Sequence, residues 1–204
     1  MDVTFWNNRY SAADYLYGTA PNEFVAAIVE RIPAGPVLCL AEGEGRNAVF
    51  LAGRGHEVTA VDQSAAGLAK AQRLAAENGR VIRTVEADLS IFRIEPNSWA
   101  GIVTTFGHLP PALRQEVYAA AVRGLVEGGV FALEAYTPAQ LRFNTGGPKD
   151  VTMLMTAQAL RSELAGLDFE IIHEIERDVT EGPAHSGRGA VVQVLARKPK
   201  PNRG

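Results

Sequence analysis

Cysteine is almost missing from the chain. Cys39 stands alone, so neither an intramolecular disulfide nor a cysteine-built metal cluster is available, which fits a reducing compartment. No apolar run approaches the roughly 20 residues that cross a bilayer. The opening MDVTFWNNRY has neither a basic start nor a continuous apolar stretch, so no membrane association and a cytoplasmic location are expected. A sustained basic stripe is also missing. With a formal net charge of −3, the chain lacks the footprint of a non-specific nucleic-acid binder. No group of His, Asp or Glu has metal-ligand spacing, and no internal repeat is visible. What remains is an ordinary globular composition, 47% hydrophobic and 21% charged. At 204 residues the chain accommodates one α/β domain but not a cofactor domain with a separate catalytic domain. A single domain over 1–204 is expected, as a monomer or weak dimer.

The richest stretch is 36–62, PVLCLAEGEGRNAVFLAGRGHEVTAVD. It reads as strand, glycine turn, helix, strand and terminal acid, the pattern of a nucleotide-like cofactor site. Gly43 and Gly45 carry no Cβ and let the backbone turn sharply and approach a ligand. Asp62 closes the second strand at the spacing from which an acid reaches a ribose diol.

Around this unit the spacing predicts an N-terminal region (1–35) of short helices, with Phe5, Trp6, Tyr10, Tyr15 and Tyr17 forming either a sheet cap or an aromatic lid. Asn22 is the expected N-cap of a helix to about Arg31, and Ser64 of one to about Asn78. Strands are expected at 37–41, 56–61, 81–85, 102–106 and 130–136, the last preceded by the punctuating pair Gly128-Gly129. A cofactor-binding core (36–136) is followed by a turn-rich segment (137–156), expected as a substrate-side lid. A C-terminal part (157–197) holds a helix and two strand-like runs, 169–178 and 190–197. The loop between those runs is too short for a helical crossover, so they either pair antiparallel or sit apart, and an antiparallel final strand is expected. The tail 198–204 is expected to be frayed. The fold class is therefore α/β, a Rossmann-like three-layer sandwich on a seven-stranded, mostly parallel sheet with the last strand antiparallel.

Ligands in such sheets bind beyond the carboxyl ends of the strands. Asp62 suits a ribose diol and Asp88 an exocyclic adenine amine, with Ala87 and Leu89 offering backbone contacts; the plainer reading of both acids is a cap or a turn. Ala41, Glu42, Asn47 and Phe106 sit in the same set of loops. Two histidines follow late elements. His108 lies after the fourth strand, where it either lines the site or caps the next helix; His185 lies between the last two strands, where it is either a site residue or a solvated loop residue. Arg9, Tyr17 and Tyr136 are candidates for the substrate or lid side.

Taken in order, FWNNRY…YLYGTAPNEF, AEGEGRNAVFLAGRGHEVTAVDQS, VEADL, FGHLPP, LVEGGVFALEAYTPAQL, TGGP and EGPAHSGRGAVVQVLARKP make the chain resemble the class I S-adenosylmethionine-dependent methyltransferases. Within them it is most similar to the tellurite-resistance and thiopurine methyltransferase-like branch. The resemblance implies strand order 3-2-1-4-5-7-6, S-adenosylmethionine as cofactor and S-adenosylhomocysteine as product. It also implies Gly43 and Gly45 at the methionine part, Asp62 and Gln63 at the ribose, and Ala87, Asp88 and Leu89 at the adenine. His185 with Arg188 matches a His/Arg element that positions an anionic or soft acceptor, so His108, His185 and Arg188 are the catalytic candidates. The chain departs from the family pattern where Cys39 replaces an acid and Ala41 a glycine; Glu42 and Glu44 are the acids that can substitute, and Cys39 is expected in the core.

The expected function is in-line methyl transfer to a small-molecule acceptor, with no metal. Two other readings stay open. Residues 43–48 literally fit the dinucleotide pattern GxGxxA of an NAD(P)-dependent oxidoreductase, although no tyrosine is followed four positions later by lysine. A non-catalytic S-adenosylmethionine-binding protein is the third.

Overall fold

The computed structural model describes residues 3–143 and 145–200. Its centre is β1 (Pro36–Leu40), paired in parallel with β2 (Glu57–Asp62) on one side and β4 (Trp99–Thr105) on the other. β2 pairs with β3 (Arg83–Glu86), and β4 with β5 (Leu125–Tyr136). The hairpin of β6 (Asp168–Thr180) and β7 (Ser186–Arg197) joins through β7, which runs antiparallel to β5. The order is 3-2-1-4-5-7-6, as the resemblance implies.

Residues alternate across the sheet with the strand's period of two. Leu38 and Leu40 join Ile102, Tyr118, Phe131, Leu133 and Leu160 on one face. Val37 and Cys39 join Val58, Ala60, Val103 and Leu195 on the other. Cys39 is therefore a core residue, and burial raises its thiol pKa. The first face is covered by α5 (Pro111–Gly124) and α6 (Ala157–Glu163), the second by α2 (Glu23–Ile28) and α3 (Arg46–Gly53). α4 (Ala65–Glu77) and α1 (Val3–Arg9) lean on one another beside β2. Asn22, Ser64 and Thr156 cap their helices through side-chain oxygens that accept backbone N–H groups.

Several boundaries differ from expectation for local reasons. β3 begins at Arg83 because Arg80 N–H still closes the end of α4 on Ala75 O, at 2.8 Å, leaving Val81 out in solvent. β5 runs on through Gly128-Gly129, where a Cβ at Gly129 would press on the Trp99 carbonyl and the β4 register shifts. The 137–156 segment holds two short 3-10 turns, Pro138–Arg142 and Val151–Met153. Lys198, expected to fray, donates to Leu125 O at 2.6 Å and Asn97 Oδ1 at 2.9 Å; positions 201–204 of that tail lie outside the described residues.

Gly45 packs α3 against α4. It sits at φ +89°, and a Cβ there would lie 2.4 Å from the Ala71 Cβ. Gly45→Ala is expected to lower unfolding free energy by roughly 2–4 kcal/mol, measured by denaturant titration; an unchanged midpoint would remove this contact from the fold's determinants.

Candidate active site

Strand order turns between β1 and β4, so the loops that follow them part and leave a crevice at their carboxyl ends. β7 runs against β5, which brings the β6–β7 turn to the same end of the sheet. A cavity of about 440 Å3 lies between these loops.

Its floor is strained. Ala41 (φ +52°) and Phe106 (φ +53°), the residues that leave β1 and β4, both adopt left-handed backbone and both line the cavity. A side chain in that region costs about 1–2 kcal/mol. Their amide neighbourhoods hold them: Phe106 N–H donates to Glu134 O at 2.7 Å, and Glu42 N–H to Val61 O at 3.2 Å.

The glycines of this turn do something other than what the sequence suggests. Neither is on the cavity wall. A Cβ on Gly43 would meet the Tyr10 hydroxyl at 2.6 Å, and Gly45 abuts Ala71. They serve close packing, with Tyr10 standing between Gly43 and any ligand.

The acids divide by role. Asp62 Oδ2 accepts from Gly43 N–H and Oδ1 from Ser64 N–H, each at 2.8 Å, so it ties the first two loops together while lining the cavity. Burial raises its pKa against the pull of those amides. The Gln63 amide also bonds this carboxylate, which leaves it room for a further hydroxyl donor. Glu44 is spent on structure: it accepts from Lys70 Nζ at 2.6 Å and from the Leu16 and Tyr17 amides at 3.2 and 3.1 Å. Glu42 lines the cavity and accepts from Ala48 N–H at 2.8 Å; burial pushes its pKa up to about 7, against the Ala48 amide and Arg46. Asn47 bridges Asn22 N–H at 2.9 Å and Thr105 Oγ1 at 2.8 Å. Gln63, Ala87, Asp88 and Leu89 complete this end, where Asp88 is exposed and its pKa is lowered by the Ser90 amide at 2.8 Å.

The N-terminal segment covers the crevice. The Trp6 and Tyr10 rings stack with centroids 5.6 Å apart, and Arg9 Nε donates to Tyr17 Oη at 2.8 Å. This segment is locked to the β6–β7 turn by two glycines: a Cβ on Gly182 would lie 2.3 Å from Gly18 N.

His185, Phe106, Tyr136 and Tyr17 form a ring cluster on the cavity wall. His185 is buried, and its Nδ1 lies 3.2 Å from Glu181 Oε2. Glu181 also accepts from Arg46 Nη2 at 2.6 Å, Asn22 Nδ2 at 2.7 Å and Arg177 Nη2 at 3.0 Å. Burial would raise its pKa, but the His185 hydrogen bond and the Arg46 charge hold it at about 2. His108 is otherwise occupied. Its Nδ1 meets Met153 O at 3.1 Å and its Nε2 accepts from Tyr136 N–H at 3.4 Å, so it ties the 137–156 segment to β5 rather than capping a helix. Burial lowers its pKa to about 4, which keeps it neutral. Arg188 is not brought to this site; it is exposed and lies near Glu176 (3.7 Å) and Asp178 (3.9 Å). Arg46 and Glu181 were not singled out from the sequence; the available signal was the pairing of Glu181 with His185 four residues on.

Residues 37–129 match a family model described as a methyltransferase domain. The chain carries a methyltransferase domain. No curated protein matches the chain's sequence. Among solved structures it is similar to a protein from work on conversion of a disulfide bond into a thioacetal group during echinomycin biosynthesis, at 19% identity and TM-score 0.75, covering 98% of this chain and 94% of that one. TehB from Haemophilus influenzae gives 19% and 0.71, covering 95% and 66%. The N-methyltransferase NodS from Bradyrhizobium japonicum WM9 gives 12% and 0.68, covering 98% and 99%. The cavity fits the cofactor chemically. Arg46 lines the cavity with a guanidinium that suits a carboxylate, Glu42 suits a cation, and Asp62 a diol.

Glu181 gives an acid-stability expectation. Its depressed pKa contributes stability fully above about pH 4.3, and this is lost as pH falls toward about 2. Glu181→Gln is expected to cost roughly 3–5 kcal/mol near neutrality, with the deficit against wild type shrinking in acid. A deficit independent of pH in denaturant titrations would contradict the charge network.

Proposed function

We propose that the enzyme methylates a small molecule held at the aromatic end of the cavity, between Tyr17, Phe106, Tyr136 and His185. The observation that carries this reading is one continuous cavity whose lining includes Asp62 and Asp88 after β2 and β3 together with those four rings. Donor and acceptor can thus meet inside it. On its sequence motifs we place the enzyme beside the tellurite-resistance and thiopurine methyltransferase-like branch, in the cytoplasm.

When bound, S-adenosylmethionine supplies an electrophilic methyl group on a sulfonium. The chain's residues supply placement and exclusion of water. Asp62, with Gln63, holds the ribose diol; Ala87, Asp88 and Leu89 hold the adenine; Arg46 takes the carboxylate; Glu42 faces the positive charge. Phe106 and Tyr136 wall the acceptor, and the Trp6–Tyr10–Tyr17 cover shields it. The 137–156 segment closes the acceptor side, where Gly146, Gly147 and Pro148 line the cavity.

Calorimetry with S-adenosylhomocysteine tests the binding half, and radiolabelled methyl transfer into a small-molecule extract the acceptor half. Asp62→Ala is expected to weaken cofactor binding roughly tenfold or more, through the loss of about two hydrogen bonds; unchanged affinity would remove Asp62 from the site. Glu42 adds a pH dependence. Its pKa of about 7 leaves it neutral in acid and ionised above, so S-adenosylmethionine should bind roughly five- to tenfold tighter at about pH 8 than at about pH 6. That dependence should vanish in Glu42→Gln.

A further inference from the structure

We propose that Glu181 and His185 form a general-base pair aimed into the cavity, so that the acceptor reacts through an atom that carries a proton at neutral pH: a thiol, a hydroxyl or a ring N–H. This inference rests on the methyl-transfer reading above and names its substrate class.

The argument starts from which atom holds the proton. Glu181 is surrounded by the donors Arg46 Nη2, Asn22 Nδ2 and Arg177 Nη2, so its carboxylate stays ionised and has no proton to give. The 3.2 Å contact from Glu181 Oε2 to His185 Nδ1 then requires the proton on Nδ1. In the neutral ring Nε2 is left with a bare lone pair. Nε2 makes no hydrogen bond among the described residues, it is not among the sealed and partnerless buried atoms, and His185 lines the cavity.

The ring is also fixed in direction. Phe106, Tyr136 and Tyr17 meet it edge to face, with centroids at 4.1, 5.3 and 5.8 Å. The titratable and charged groups packed around it are Glu181 of its own turn, Arg46 of α3, Arg177 of β6, Tyr17 of the N-terminal segment, Tyr136 of β5 and His108 after β4. Of these, only Glu181 makes a hydrogen bond to the ring. His108 cannot take the role, since backbone groups occupy both its nitrogens.

A base beside an oriented carboxylate is the arrangement that removes a proton from a nucleophile as it attacks. The acceptor's proton passes to His185 Nε2, its freed electron pair forms the bond to the methyl carbon, and the S–CH3 bond breaks with its pair retained by sulfur in S-adenosylhomocysteine. His185 then returns the proton to water. Glu181 is a positioning residue: it selects the tautomer and stabilises the imidazolium.

The first test needs no turnover. Imidazole 15N NMR of the free protein, with His185→Asn identifying the signal, is expected to show the neutral His185 protonated at Nδ1 and bare at Nε2. Glu181→Gln is expected to relax that preference. An Nε2–H tautomer in the wild type, or indifference to Glu181→Gln, overturns the pair.

The second test uses radiolabelled S-adenosylmethionine with 2-mercaptoethanol and phenol as protonated probes and 4-nitrothiophenol as one already ionised. Wild type is expected to methylate at least one protonated probe. His185→Asn, which leaves Glu181 and its arginines paired, should lose about a hundredfold or more on that probe, much less on the ionised one, and nothing in cofactor affinity. Equal losses on both kinds of probe, or no transfer to any protonated probe, overturn the proposal. Failure of S-adenosylmethionine to bind at all would instead sink the methyl-transfer reading itself.

Discussion

A buried negative charge, that of Glu181, organises one whole side of the molecule. With its carboxylate 2% exposed, it would be strongly unfavourable alone; four donors from four parts of the chain make it tolerable. Arg46 opens the helix after the first turn, Asn22 caps α2, Arg177 lies on β6, and His185 ends the hairpin turn. Asn22 and Arg177 also reach Glu134 inside β5, which accepts from Gln193 of β7 as well. Removing Glu181 would leave Arg46 Nη2 and His185 Nδ1 buried without their partner, so α3 and the β6–β7 hairpin are held together through this one carboxylate.

That constraint explains how a sheet with an antiparallel ending becomes a two-ended site. Parallel strands send their carboxyl-end loops to one edge, and β7 adds its own leading turn there because it runs backwards. The N-terminal segment then bridges the two ends: Glu44 grips the Leu16 and Tyr17 amides, and Gly18 nests against Gly182. The strained Ala41 and Phe106 sit directly beneath, in conformations their surroundings impose.

Much of the fold was legible because periodicity survives in single elements. The alternation in PVLCL, the caps Asn22 and Ser64, and the short link between the last two strands lead to the observed sheet, with β5 and β3 shifted only where glycines and a helix cap intervene. The site was less legible, since a residue's role there depends on what tertiary contact has already claimed it. Gly43 and Gly45 read as ligand-facing, yet Tyr10 and Ala71 fill the space a Cβ would need. Glu44 reads as a spare acid, yet Lys70 consumes it. Local spacing brings His185 and Arg188 together, whereas Arg188, on β7, lies beside the charges of β6 and His185, still in the turn, lines the cavity. Arg46, hidden between two glycines and an alanine-rich run, gave no sign of its partnership 135 residues away.

The central claim is that the methyl group moves inside the cavity that joins the acid-bearing loops to the aromatic end at His185. A crystal structure of the complex with S-adenosylhomocysteine measures this directly. The adenosine should lie along Asp62 and Asp88, with the thioether sulfur facing the enclosure of Tyr17, Phe106, Tyr136 and His185. A cofactor bound elsewhere, or one whose sulfur points away from that enclosure, would contradict the account.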